Sequence, residues 1–164
     1  MDYKVVYLND YYKEKQIYIS LINKMFKEDN DKLANLQEIS NHLDFIFNAD
    51  YNQKAFLILQ IENDELVSMI NGYEYDNIRN EWCLFSLFTK KEKRKLGYGE
   101  KILKRAIEEI KKYNCSKIIV GIEKKNIPSI KLHEKAGFEY SNCNWDDLAD
   151  GFPENHLGYC YKIM

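Results

Sequence analysis

The stretch from Glu81 to Ile110 restricts the fold more than any other part of the chain. Trp82, Cys83, Leu84, Phe85, Ser86, Leu87 and Phe88 form an apolar, aromatic-rich run too short for a buried helix, which predicts a central strand. After it, Ile102, Leu103, Ala106, Ile107 and Ile110 recur at the spacing of one helix face, while Lys101, Lys104, Arg105, Glu108 and Glu109 occupy the other. Between them lies Thr89-Lys-Lys-Glu-Lys-Arg94-Lys95-Leu96-Gly97-Tyr98-Gly99-Glu100. The unit is strand, basic glycine-bearing loop, helix.

Such a loop suits phosphate. Gly97 and Gly99 permit positive φ and close backbone approach, so successive N–H groups can converge at the start of a helix whose dipole favours negative charge. The cations between Lys90 and Lys95 are expected to add longer-range attraction. Neither the Gly-x-x-x-x-Gly-Lys-Ser/Thr nucleotide loop nor the Gly-x-Gly-x-x-Gly dinucleotide pattern is present, since no Gly-Lys-Ser/Thr follows and Ile102 stands where a third glycine belongs.

Arg94-Lys95-Leu96-Gly97-Tyr98-Gly99 resembles the Gln/Arg-x-x-Gly-x-Gly/Ala pyrophosphate loop of the GNAT superfamily of acyl-CoA-dependent N-acetyltransferases. A second stretch, Asn126-Ile-Pro-Ser129-Ile-Lys-Leu132-His133-Glu-Lys-Ala-Gly137-Phe138, is similar to that family's Asn-x-x-Ala/Ser-x-x-Leu/Phe-Tyr-x-x-x-Gly-Phe signature and lies at the expected distance. The resemblance covers about Glu81 to Tyr140.

The rest of the chain is consistent with it. Lys4 to Leu8 reads as a strand, followed by Asn9 and Asp10 as candidate helix caps. Ile17, Leu21, Ile22, Met25 and Phe26 predict a first helix ending at the acidic residues 28–31, and Leu36, Ile39, Leu43, Ile46 and Phe47 the buried side of a second. Ala55 to Ile61 and Leu66 to Tyr73 form an expected hairpin. Strands follow at Lys117 to Ile122, Glu139 to about Asn142 and Leu157 to Ile163, with a helix stopped by Gly137. The resulting β, α, α, β, β, β, α, β, α, β, β order implies an α/β (α+β) GNAT fold: a mixed, mostly antiparallel sheet with helices on both faces.

Composition sets the remaining bounds. A chain of 164 residues without a Pro/Gly/Ser-rich linker or internal repeat is expected to be one domain. A net charge of -2 gives no case for nucleic acid. Cys83, Cys115, Cys143 and Cys160 are widely spaced, so reduced thiols and no metal are expected. No signal sequence or span-length apolar stretch is visible, which predicts a cytoplasmic protein without membrane association. A homodimer is left open.

The resemblance implies acetyl-CoA as cofactor and direct transfer of its acetyl group to a primary amine, with a small cationic amine as the expected acceptor. It implies that Leu87, Phe88 and Thr89 on the central strand face pantetheine, with backbone groups of Leu87 and Thr89 offered to it and to the thioester oxygen. Leu96, Gly97, Tyr98, Gly99 and Glu100 supply main-chain N–H groups to pyrophosphate with Arg94 and Lys95 nearby, and Asn126 and Ser129 complete the cofactor set. His133 stands where relatives carry the Tyr that assists the leaving sulfur, and imidazole can do that work. Should it not, Tyr98, Tyr140 or solvent remains. The position of the strand carboxylate found in some relatives is Cys83 here, a core or cleft residue, leaving Glu81, Glu74 or Asp76 as candidate bases, directly or through water. Tyr73 and Tyr75, with Trp145, Asp146 and Asp147 of a late loop that also holds Asp150, Phe152 and Glu154, are expected to meet the acceptor: aromatic faces among carboxylates suit a cation. Two rivals persist, a protein or peptide N-acetyltransferase and a non-catalytic acyl-CoA-binding module.

Overall fold

A computed structural model of the chain describes residues 1–48, 54–141 and 154–163. Its elements are β1 (Asp2–Tyr7), α1 (Leu8–Glu28), α2 (Leu36–Ile46), β2 (Ala55–Glu62), β3 (Glu65–Asp76), β4 (Glu81–Thr89), α3 (Tyr98–Lys111), β5 (Lys117–Glu123), α4 (Ile127–Lys135), β6 (Glu139–Tyr140) and β7 (His156–Lys162), with a 3-10 turn at Lys91–Lys93. They build a seven-stranded sheet in the order β1-β2-β3-β4-β5-β7-β6. All neighbours are antiparallel except β4 and β5. The expected fold class and element order are observed.

The sheet divides the apolar residues into two layers. On one face α1 and α2 contribute Tyr18, Ile22, Met25 and Leu43, with Phe47 just past the end of α2, against Leu57, Leu59 and Met69. On the other, the apolar stripe of α3 (Ile102, Leu103, Ala106, Ile107, Ile110) packs on Phe56, Ile58, Trp82 and Ile118. Period-two alternation sends neighbouring strand residues to opposite layers. Gly72 of β3 is required by this packing, because a Cβ there would stand 2.9 Å from Phe56 Cζ and 3.0 Å from Leu84 Cδ2.

Three expectations need correction. Tyr7, not Asn9 or Asp10, is the residue before α1, and the Asp10 carboxylate instead accepts from the Tyr7 N–H at 3.5 Å. Ile17 and Leu36, assigned to buried helix faces, are both 54% exposed, since Tyr11, Tyr18 and Ile19 fill the α1 side and Ile39 begins the buried stripe of α2. β3 continues through Asp76, three residues past the expected end at Tyr73.

The central strand is interrupted where it matters. β3 partners Met69 with Phe88 and Asn71 with Phe85, so Ser86 and Leu87 stand opposite the single residue Ile70: a β-bulge, with Ser86 at φ 53°. On the other side β4 and β5 pair only from Glu81–Lys117 to Cys83–Ile119, while β5 stays with β7 through Glu123. The two parallel strands therefore part after Cys83.

Candidate active site

The parting of β4 from β5 opens a cleft of about 350 Å³ lined by Leu84 to Leu87, Val120 to Glu123, Asn126, Ser129, His133 and His156. A second cleft, about 340 Å³, lies across β4 beneath the N-terminal helices, lined by Ile22, Phe26, Leu33, Glu38, Ile39, His42, Leu43, Met69 and Ser86 to Phe88. The two share Ser86 and Leu87, the bulged pair. Among the described residues, that pair is where the two clefts adjoin.

Beyond the end of β4, α3 begins with Gly97 at φ 86°, a left-handed conformation that favours glycine, and no side chain caps its first turn. Helix geometry leaves the N–H groups of Tyr98, Gly99 and Glu100 without intrahelical acceptors. Gly99 faces α4, where a Cβ would approach Leu132 Cδ2 at 3.3 Å. Lys104 and then Lys135 hold the Glu100 carboxylate, at 2.8 and 2.6 Å, and push its pKa down to about 2, so this acid is directed to cations beside the turn. An uncapped helix start with a glycine N-cap and a neighbouring open strand edge fits a diphosphate followed by an extended arm.

The basic loop is less free than its composition implies. Lys90 is buried and bound to Glu28 (2.7 Å) and Glu65 (3.3 Å), Lys91 donates to the Asp29 carbonyl, and Lys93 pairs with Glu62. Arg94 folds back, its Nε donating to the Thr89 carbonyl at 3.0 Å and its guanidinium 5.6 Å from the Phe88 ring centroid. Thr89 is thus paired to Ser68 on β3 and occupied by Arg94, whereas Leu87 is passed over by the β3 ladder and lies beyond the last β5 pair. Phe88, expected beside the cofactor, instead packs edge-on to Phe26 (4.7 Å) and lines the second cleft.

Asn126 and Ser129 reach the first cleft together. Asn126 Oδ1 accepts from the Ser129 N–H at 3.2 Å, capping α4, which leaves its Nδ2 for another acceptor. His133, 2% exposed, is fixed from both ends of its helix. Its Nδ1–H donates to the Ser129 carbonyl at 2.8 Å, and its ring meets Phe138 edge-on at 5.2 Å. Phe138 N–H donates to the His133 carbonyl and Gly137 N–H to that of Glu134, both at 3.0 Å, with Gly137 at φ 100°. This paired closure ends the helix and seats the imidazole. A carbonyl can only accept, so the neutral ring carries its lone pair on Nε2. Burial pushes the His133 pKa down, partly offset by the Ser129 bond, and a proton for a leaving sulfur therefore requires the disfavoured imidazolium.

The carboxylates expected as bases lie elsewhere. Glu81 sits at the paired end of β4, held by Lys117 (3.1 Å), Arg79 (3.7 Å) and the Tyr75 hydroxyl. Its Cα is roughly 17 Å from the bulge at about 3.3 Å per residue. Glu74 is buried against Lys54 at 3.0 Å, and Asp76 caps the following turn by accepting from Ile78 and Arg79 N–H. Tyr73 stacks on Phe85 at 5.4 Å, and neither it nor Tyr75 is among the residues lining these two clefts. Cys83 is fully buried in the core with its thiol pKa pushed up by burial. Tyr98 donates to Glu62 at 2.6 Å, which removes its hydroxyl from the sulfur's side, and Tyr140 is exposed near Tyr159. Trp145, Asp146 and Asp147 lie outside the described residues. Among those described, no group of three potential metal ligands occurs, and no helix is long and apolar enough to cross a membrane.

The sequence reading missed His42, Asn71 and Ser86. His42 Nε2 lies 2.9 Å from Ser86 Oγ and 3.4 Å from Asn71 Nδ2. A signal existed in each case: a hydroxyl inside an otherwise apolar strand, an amide in a buried hairpin, and an imidazole beside the Ile39–Leu43 stripe.

Comparison with known proteins agrees with this architecture. A spermine N(1)-acetyltransferase of Bacillus subtilis subsp. natto, itself described as probable, is 31% identical over 70 residues, covering 42% of this chain and 46% of that protein, so the chain spans about half of this curated relative. A GNAT-family acetyltransferase from Staphylococcus aureus Mu50 superposes with a TM-score of 0.66 at 24% identity, covering 99% of this chain and 100% of the other. The PaiA N-acetyltransferase of Thermoplasma acidophilum, solved in complex with coenzyme A, gives 0.63 at 12% identity with 99% and 100% coverage. The family model described as "Acetyltransferase (GNAT) family" matches residues 19–138, and with two clefts meeting at a bulged central strand beside a glycine-led helix, the chain belongs to that family.

Proposed function

We propose that this protein transfers the acetyl group of acetyl-CoA to a primary amine by direct attack, with a small cationic amine as acceptor. The observation that carries the reading is that two clefts share Ser86 and Leu87, one lying between the parted β4 and β5 with α4 at its side and the other beneath the N-terminal helices. Bound acetyl-CoA supplies an activated acyl carbonyl. The main-chain N–H groups of Tyr98, Gly99 and Glu100 hold its diphosphate, with Arg94 and Lys95 beside them, and Asn126 and Ser129 flank the arm. The Leu87 N–H, outside both strand ladders, donates to negative charge developing on an acyl oxygen. His133 accepts through Nε2 when neutral and donates there when protonated, so its help to a departing thiolate is confined to the imidazolium form.

Glu38 lines the acceptor-side cleft, which supports a cationic acceptor, as does, on composition alone, the acidic sequence of residues 146–154. The name of the Bacillus relative points the same way. Isothermal titration tests the cofactor claim. We expect acetyl-CoA to bind the folded protein and Gly97→Val, which forces a branched residue into positive φ, to weaken it at least about tenfold, or roughly 1.4 kcal/mol. A folded protein that binds no acetyl-CoA ends this reading.

A further inference from the structure

We propose that His42 of α2, acting through the Ser86 hydroxyl and backed by Asn71, is the group that takes the proton from the attacking amine. The inference rests on the acetyltransfer reading above and supplies its missing base. Ser86 belongs to both clefts and its Oγ is 2.9 Å from His42 Nε2, while His42 lines only the acceptor-side cleft. The dyad therefore stands where an amine from one cleft meets an acyl group from the other.

The bulge makes the contact possible. A regular strand would alternate Ser86 and Leu87 to opposite faces; the left-handed φ of Ser86 instead turns its hydroxyl toward α2, across 44 positions of sequence. A serine in that conformation costs backbone strain, and strain of this kind persists where the surroundings hold it in place.

Asn71 supplies the second observation. It is fully buried, its Nδ2 faces His42 Nε2 at 3.4 Å, and its Oδ1 is buried with no hydrogen-bond partner. With Ser86 and Asn71 both donating, the neutral ring keeps its hydrogen on Nδ1 and its lone pair on Nε2. Once Nε2 is protonated, a half-turn of the Asn71 amide brings the orphaned Oδ1 against the new N–H. The unsatisfied acceptor thus has a use in one protonation state only.

The proton balance is simple. As the neutral amine nitrogen bonds to the acyl carbon and the acyl C–S bond to coenzyme A breaks, the amine's N–H proton passes to Ser86 Oγ, the Ser86 hydroxyl proton passes to His42 Nε2, and the imidazolium later returns it to solvent, from which the departed thiolate is protonated. Burial keeps His42 neutral at physiological pH, as a base must be. Its polar contacts are Ser86 of β4 and Asn71 of β3, and the cleft it lines is otherwise formed by Ile22 and Phe26 of α1, Leu33, Ile39 and Leu43, Met69 of β3, and Leu87 and Phe88 of β4, none of them charged; Glu38, one turn earlier on α2, is the charged residue lining it among the described residues.

The chain has three histidines, so imidazole NMR can follow each. In cofactor-free protein we expect His42 to be unprotonated at Nε2 and to titrate below the ordinary 6.5, and Ser86→Gly, which tolerates the bulge φ, to move the Nε2 resonance. An Nε2–H tautomer, or a His42 titrating at or above its ordinary value, overturns the proposal whatever the turnover. With acetyl-CoA and spermine, or primary alkylamines should spermine not react, we expect kcat/KM to fall on an acid limb that tracks the NMR titration. His42→Gln should bind acetyl-CoA as before, lower kcat/KM about 10²-fold and lose that limb. An unaltered limb in His42→Gln overturns the assignment, while absent acetyl-CoA binding by the unaltered protein refutes the acetyltransfer reading instead.

Discussion

The two ends of the β4–β5 pair differ in almost every physical respect, although the same strands make both. At the closed end, Glu81 to Cys83 pair with Lys117 to Ile119, Trp82 and Cys83 are fully buried, and Glu81 is enclosed by Lys117, Arg79 and Tyr75. At the open end the ladder stops, Ser86 and Leu87 bulge out, and two largely buried imidazoles, His42 and His133, line the clefts together with Glu38 and Glu123. The lesson is that ion-paired acids at the closed end secure the sheet and are spent doing so. Groups left able to exchange a proton sit where pairing fails.

The contrast can be broken most forcefully at the closed end. Trp82 packs between Phe56 (5.7 Å) and Tyr113 (5.0 Å), and Trp82→Ala should cost about 3–5 kcal/mol in denaturant unfolding. Calorimetry on the folded fraction should find acetyl-CoA affinity unchanged; a comparable loss of affinity would mean that the two ends are not separable. A smaller effect is expected at His133. Its pKa is depressed by burial, so the protonated fraction that can serve the sulfur grows as pH falls, and His133→Ala should reduce kcat more at mildly acidic than at alkaline pH. The same shift works against stability: the unfolded chain binds the proton first, so both His42 and His133 destabilise the fold as pH falls below about 6.5. A loss of kcat independent of pH would remove His133 from proton transfer. The smallest catalytic effect belongs to Glu81→Gln, which should lower Tm by removing its ion pairs yet leave kcat within about twofold, below what a general base contributes. A collapse of kcat in this variant would return the base to the closed end.

Much of this was readable from the chain because the informative features are local. The strand, glycine loop and α3 stripe follow from contiguous residues, and Gly137 marks the end of α4 through its own conformation. Exposure was harder: Ile17 and Leu36 have helical spacing, but which side faces the sheet depends on the angle at which each helix docks. Glu81 and Glu74 looked available because their partners, Lys117 and Lys54, come from other strands or the approach to them. His42 and Ser86 escaped notice for the converse reason. Their contact requires a bulge, and no period-two pattern announces an extra residue.

The internal commitments of Lys90, Lys91 and Lys93 reach beyond the loop that contains them. The carboxylates paired with Lys90 and Lys93 largely cancel those two fields before any solute arrives, so attraction from afar falls mainly to Lys91, Arg94 and Lys95, and encounter should be less sensitive to ionic strength than the loop's composition implies. Discrimination among anions is then left to contacts within a few ångströms, where mobile counterions have no room to intervene.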